Sequence, residues 1–132
     1  MIALDTNVLV RYLVRDDAPQ AEAARRLLQE ATEESPVFVS REVIVETVWV
    51  LERRYGFARS EIADVVVRLA GASGIVVEAC DDVARSALSF ARHSADFADL
   101  MILSAARRAG ALPLYSFDHK LLKMPGAASP AT

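Results

Sequence analysis

The hydrophobic and polar positions alternate between two kinds of segment. Ile2–Leu4, Pro36–Val39, Gly74–Cys80 and Leu112–Phe117 are short apolar runs, each bounded by polar or turn-forming residues. Runs of this length predict buried strands. Between them the apolar residues recur at helical spacing. Asp5 or Thr6 is placed to cap a helix that runs to about Arg15, and Asp16–Pro19 breaks it. Pro19 suits the first turn of the next helix, where Ala21, Ala24, Leu27, Leu28 and Ala31 share one face. Ser40 heads a helix from Arg41 to about Tyr55, stopped by Gly56. Ser60 heads another, with Ile62, Val65, Val66 and Leu69 on one side and Gly71 as its stop. Asp81 or Asp82 starts a helix to about His93, and Asp96 starts one closed by Gly110. A helical turn is expected over His119–Leu122, with a frayed tail from Pro125.

Strands alternating with helices predict an α/β fold, with helices on both faces of a parallel sheet. The length of 132 residues fits a single domain over residues 1–124, followed by a flexible tail at 125–132. In such sheets, sites form beyond the carboxyl ends of the strands. Asp5 lies there, between the apolar runs Ile2–Leu4 and Val8–Val10, with Thr6 and Asn7 beside it.

Composition narrows the chemistry. Hydrophobic residues make up 53% of the chain, enough for a sizeable core with some apolar surface left over. The net charge of −3 gives no bulk basic footprint for nucleic acid, although bound cations can supply positive charge locally. Cys80 is the single cysteine, so no internal disulfide or zinc-spaced cluster is available. No apolar run approaches the ~18 residues of a membrane helix, and there is no leader pattern, so a cytoplasmic location is expected.

Of the 18 acidic residues, four stand in unusual places, and each has a structural alternative. Asp5 follows a buried strand, where a helix cap explains it equally well. Glu46 sits mid-helix among Val43, Ile44, Val45, Val48, Trp49, Val50 and Leu51, with no basic residue at helical spacing next to it. A carboxylate in so apolar a helix is buried and needs a partner, or else shares a narrow solvated stripe with Glu42 and Arg53. Asp99 precedes Leu100–Leu103 at the edge of the core. With Asp96 it also fits a capping arrangement. Asp118 ends the fourth strand two residues after Ser116, where a turn or cap is the alternative. Together the four predict a crevice in which carboxylates repel. Helix dipoles offset only about 0.3–1 kcal/mol each. An all-oxygen set without His or Cys suits Mg²⁺ or Mn²⁺.

The order of "MIALDTNVLVRYL", "SREVIVETVWVL", "ADFADLMILSAA" and "LYSFDHKL" resembles the PIN-domain ribonucleases, most closely the short VapC-type toxins of bacterial toxin–antitoxin pairs. The resemblance runs from Met1 to about Leu122 and implies a three-layer α/β/α fold around four or five short parallel strands. It implies that Asp5, Glu46, Asp99 and Asp118 hold Mg²⁺ or Mn²⁺, with Asp96 as an accessory acid and Thr6, Asn7 and Ser116 orienting carboxylates and water. It further implies endonucleolytic hydrolysis of RNA, a homodimer and a cognate antitoxin that blocks the site. The Arg41–Arg54 helix and the Val65/Val66/Leu69 stripe are the surface such partners would take, if that stripe is not core. Arg11, Arg15, Arg41 and Lys120 are candidates for phosphate contacts, with solvated surface charge as the alternative; His93 and His119 make no general-base pair. Two other classes compete with the enzyme: a receiver-like phosphoacceptor signalling module, and a non-catalytic interaction domain that keeps the fold.

Overall fold

Ile2–Ala3 (β1), Val37–Val39 (β2) and Ile75–Val77 (β3) pair in parallel in the order β1-β2-β3, with Ala3 opposite Phe38 and Phe38 opposite Val76. The computed structural model that gives this arrangement describes residues 1–131. Among these residues six helices accompany the strands: α1 Thr6–Val14, α2 Ala18–Gln29, α3 Arg41–Arg53, α4 Arg59–Gly71, α5 Cys80–Arg92 and α6 Phe97–Arg108. This is the expected α/β class. The parallel register places Asp5, Ser40 and Glu78 just past the ends of the three strands.

Two further strands, Leu114–Tyr115 (β4) and Ala127–Ala128 (β5), form their own parallel pair rather than extending the central sheet. The fourth strand is thus shorter than the expected Leu112–Phe117. Pro113 offers no N–H, and the Ser116 hydroxyl accepts a bond from the Asp118 amide at 3.0 Å, which turns the chain. β5 lies in the segment read from the sequence as a tail. Arg107 reaches the Pro125 carbonyl at 2.5 Å, and the Leu114 and Ser116 amides donate to Gly126 and Ala128.

Other boundaries move for local reasons. The third strand stops at Val77 because the Glu78 carboxylate turns to accept the Arg41 amide at 3.0 Å, beside the Ser40 cap of α3. α4 starts at Arg59, one residue before Ser60, because the Glu61 side chain accepts the Ala58 amide. α5 starts at Cys80 rather than at Asp81 or Asp82. The Asp82 side chain is 1% exposed and is gripped by the Arg108 guanidinium through bonds of 2.7 and 3.0 Å, so it ties α5 to α6 instead of capping. Entry to β3 requires Gly74, whose φ is +80° and whose added Cβ would lie 3.1 Å from the Ala31 backbone.

The core joins both faces of the sheet. Leu9, Ile44, Leu51, Ile62, Val66, Val83 and Phe90 are fully buried. The Val66 and Leu69 positions therefore pack inward with Val65 against them, and this stripe is core rather than partner surface. Arg59 lies over the Phe90 ring at 3.7 Å and donates to the carbonyls of Phe90 and Ala95. That anchor fixes the short segment from which α6, with Asp96 and Asp99, begins.

The Arg108 guanidinium holds the Asp82 carboxyl below the usual aspartate range. Because the folded value is the lower one, this pair stabilises the fold at neutral pH, and the contribution is lost as the pH falls through the folded value. Asp82→Asn is therefore expected to lower Tm at pH 7, with the gap to wild type shrinking in acid. A gap that persists unchanged into strong acid would contradict the pair's role.

Candidate metal centre

Asp5 is the N-cap of α1: one carboxylate oxygen accepts the Thr6 amide at 2.8 Å. The structural alternative for this residue is thus realised, but it uses only one of the two oxygens. The neighbouring Thr6 is buried, and its hydroxyl donates across to Glu46 on α3. One hydrogen bond therefore joins the end of β1 to the middle of a helix 40 residues away in sequence. Asp5, Thr6, Asn7 and Glu46 line a single cleft of about 400 Å³, with Trp49, Val50, Arg54 and Tyr55 along its α3 side.

Glu46 is exposed, so of its two alternatives the solvated stripe with Glu42 and Arg53 is the one realised, and the buried carboxylate is not. α3 turns Ile44, Thr47, Val48 and Leu51 into the core, while Glu42, Glu46 and Trp49 face outward. The seven apolar neighbours that suggested burial on all sides leave one open stripe, and Glu46 stands in it. Among the described residues no lysine or arginine pairs with Glu46, Asp5, Asp96 or Asp99.

The second group of acids gathers at the start of α6. Asp96 occupies the N-cap position, yet its side chain makes no capping bond, so the capping-box alternative fails for both Asp96 and Asp99. Partial burial, and then the charges of Asp118 and Asp96, push the Asp99 carboxyl above its ordinary value. Those three acids thus share one field. Asp118 also serves as a turn residue: it accepts the Leu121 amide at 2.9 Å and so starts the 3-10 turn Leu121–Lys123, shifted from the expected His119–Leu122.

A second cleft, of about 600 Å³, lies between α3 and α6. It runs from Arg41, Glu42 and Glu46 past Trp49 to Ala98, Met101 and Ile102 of α6. Among the described residues, however, no three His, Cys, Asp or Glu side chains stand close enough to enclose a metal ion. The tight quartet expected from the sequence is open here. Asp5 and Asp118 have turned to local amides and Glu46 to Thr6. The donor set still suits a hard dication. Mg²⁺ typically takes one or two carboxylates and keeps several waters, so it needs no preformed cage. The excess of unpaired carboxylates at Asp5, Glu46, Asp96 and Asp99 is the charge such an ion would neutralise.

The basic candidates divide. Arg11 borders the first cleft, but its guanidinium is taken up by Gln20 at 2.7 Å, Asp16 at 3.0 Å and Tyr55 at 3.3 Å. Arg41 lines the second cleft and donates to the Met101 carbonyl. Arg15 faces a separate hollow with Ala18, Glu22 and Arg25. Lys120 is exposed next to the Asp118 turn. The sequence reading passed over Arg54, which is exposed in the first cleft and has no carboxylate partner among the described residues. Its signal was available: Glu46, Val50 and Arg54 follow at intervals of four, the spacing of one helix face.

Comparison with known proteins gives the family. Residues 2–127 match the PIN domain family. The chain is also 26% identical, over 125 residues, to a VapC ribonuclease of Aquifex aeolicus (strain VF5), covering 94% of this chain and 92% of that protein.

In chelator-treated protein, Asp99→Asn is expected to raise Tm at neutral pH. The folded Asp99 carboxyl titrates above its unfolded value, so it costs stability once the pH rises through that interval, and nothing below it. The advantage of the variant should vanish in acid below the ordinary aspartate range. A lower Tm at pH 7 would instead mark Asp99 as part of a structural pair.

Proposed function

The chain belongs to the PIN domain family, and on that footing we propose that it is a divalent-metal-dependent endoribonuclease acting as the toxin of a toxin–antitoxin pair. The observation that carries this reading is the convergence of Asp5 and Glu46 on one cleft, through Thr6, with no basic partner for either among the described residues. Likeness to a VapC ribonuclease over nearly the whole chain supports the choice of RNA as substrate.

In this reading Asp5, Glu46, Asp99 and Asp118 hold Mg²⁺ or Mn²⁺, and Asp96 assists. When bound, such an ion supplies water activation and charge neutralisation at the phosphodiester. The chain's own residues position the reaction. Thr6 fixes the Glu46 carboxylate by its hydroxyl, and the Asp5 cap sets the direction of the first acid. Asn7 stands exposed on the cleft wall, able to orient water, and Ser116 shapes the turn that presents Asp118. Lys120 remains as a phosphate contact next to the Asp118 turn, while Arg11 and Arg41 are bonded within the chain and serve the cleft walls.

A cognate antitoxin and a second copy of the chain are the partners proposed. Exposed apolar residues away from the clefts, Val67 on α4 and Leu88 on α5, are surface that such partners would cover. The phosphoacceptor module draws no support: the residue after β2 is Ser40, whose hydroxyl accepts the Val43 amide. No helix among the described residues is long and apolar enough to cross a membrane.

The test is cleavage of single-stranded RNA with Mg²⁺ or Mn²⁺ added. Wild type is expected to cut, and Asp5→Asn and Glu46→Gln are each expected to lose about 100-fold or more in rate; Thr6→Val, which only unseats Glu46, should lose about 10–100-fold. Equal cleavage by wild type and Asp5→Asn would refute the proposal, and a fully inert wild type that still folds would favour the interaction domain.

A further inference from the structure

Trp49 is the chain's one tryptophan, and it is 52% exposed in the middle of a helix that buries Ile44, Val48 and Leu51. An indole offers a large, rigid apolar face with a polar N–H at its edge, the combination enriched at binding surfaces. Its position is specific. Trp49 lies less than one helical turn from Glu46 and, with it, borders both clefts, so its ring stands on the ridge between the Asp5 side and the α6 side. Arg54, the C-cap residue of α3, lines the first cleft with Trp49 and is an exposed guanidinium. The two other cationic groups near the clefts, Arg11 and Arg41, are bonded within the chain.

We propose that Trp49 and Arg54 form a nucleotide subsite beside the candidate metal centre, with a base of single-stranded RNA stacking on the Trp49 ring and a backbone phosphate held by Arg54. The subsite rests on the ribonuclease reading above for the identity of the polymer. An indole face accepts every base, and a guanidinium grips phosphate with paired N–H donors. A chain with net charge −3 and an acidic cleft needs such local contacts to hold a polyanion. Both residues are positioning groups: they set where the strand lies relative to Asp5 and Glu46.

Because Trp49 is the sole tryptophan, the protein's indole emission reports this site alone. A short single-stranded RNA titrated into the Asp5→Asn protein with Mg²⁺ should quench that emission saturably, while an abasic strand of equal length should not. Binding is followed separately by the anisotropy of end-labelled RNA. Trp49→Ala should weaken binding about tenfold or more, and in the active enzyme raise KM far more than it lowers kcat; Trp49→Phe should restore most of the affinity. Arg54→Ala should reduce the slope of log affinity against log salt by about 0.7, the loss of one single-strand phosphate contact.

RNA that binds by anisotropy while Trp49 stays silent would overturn the subsite, as would a Trp49→Ala protein that binds as tightly as the wild-type residue allows. A concentration-dependent blue shift without RNA would overturn it too, because a second copy would then cover the ring. The two proposals separate cleanly. Cleavage with a silent Trp49 sinks the subsite alone. Quenching without cleavage by wild type sinks the nuclease alone. Absence of any RNA binding sinks both.

Discussion

The hydrogen bond from the buried Thr6 hydroxyl to the Glu46 carboxylate is the contact on which the functional geometry depends. It connects the carboxyl end of β1 with the middle of α3 and holds an exposed glutamate next to the Asp5 cap. Thr6 can make it because the short first strand ends at the sheet's crevice, where Asp5 begins a helix and Thr6 turns inward at its first position. The question raised by a polar trio between two apolar runs has a physical answer. Asp5 turns the chain, Thr6 orients the partner acid, and Asn7 remains on the wall of the cleft.

The rest of the fold sets up the other half. Arg59 pins the segment before α6 by its bonds to the Phe90 and Ala95 carbonyls, and the Asp82–Arg108 pair locks α5 to α6. That rigidity presents Asp96 and Asp99 toward the side where Asp118 emerges from β4. Partial burial, and then the charges of Asp118 and Asp96, raise the Asp99 carboxyl. Between the two groups of acids, the outward stripe of α3 carries Glu46 and Trp49 along the border of both clefts, the second of which reaches Ala98, Met101 and Ile102 of α6.

Much of this was readable in the sequence, and the failures share a cause. Ser40, Asp5 and Pro19 announced helix starts because capping is local chemistry, and the structure uses all three at or next to helix ends. Where a side chain serves a distant element, local rules misplace the boundary: Asp82 belongs to Arg108, and Glu78 to the Arg41 amide. The β4–β5 pair lay beyond reach for the same reason, since Ala127–Ala128 has no strand pattern of its own and is ordered by Arg107 and β4. For the acids, order along the chain was informative, but burial was not. Glu46 had two open readings, enclosed or on a solvated stripe, because helical periodicity counts apolar neighbours without saying which direction the core takes. Arg54 was missed because attention to carboxylates left the cationic end of their own helix face unexamined.

The central claim is that the Asp5–Glu46 group and the Asp99 group serve one dication. Calorimetric titration of Mn²⁺ into wild type, Glu46→Gln and Asp99→Asn tests it most directly. One shared site predicts that each single substitution weakens binding by about tenfold or more. Unchanged Mn²⁺ affinity in either variant would mean that the two groups do not meet at a common ion.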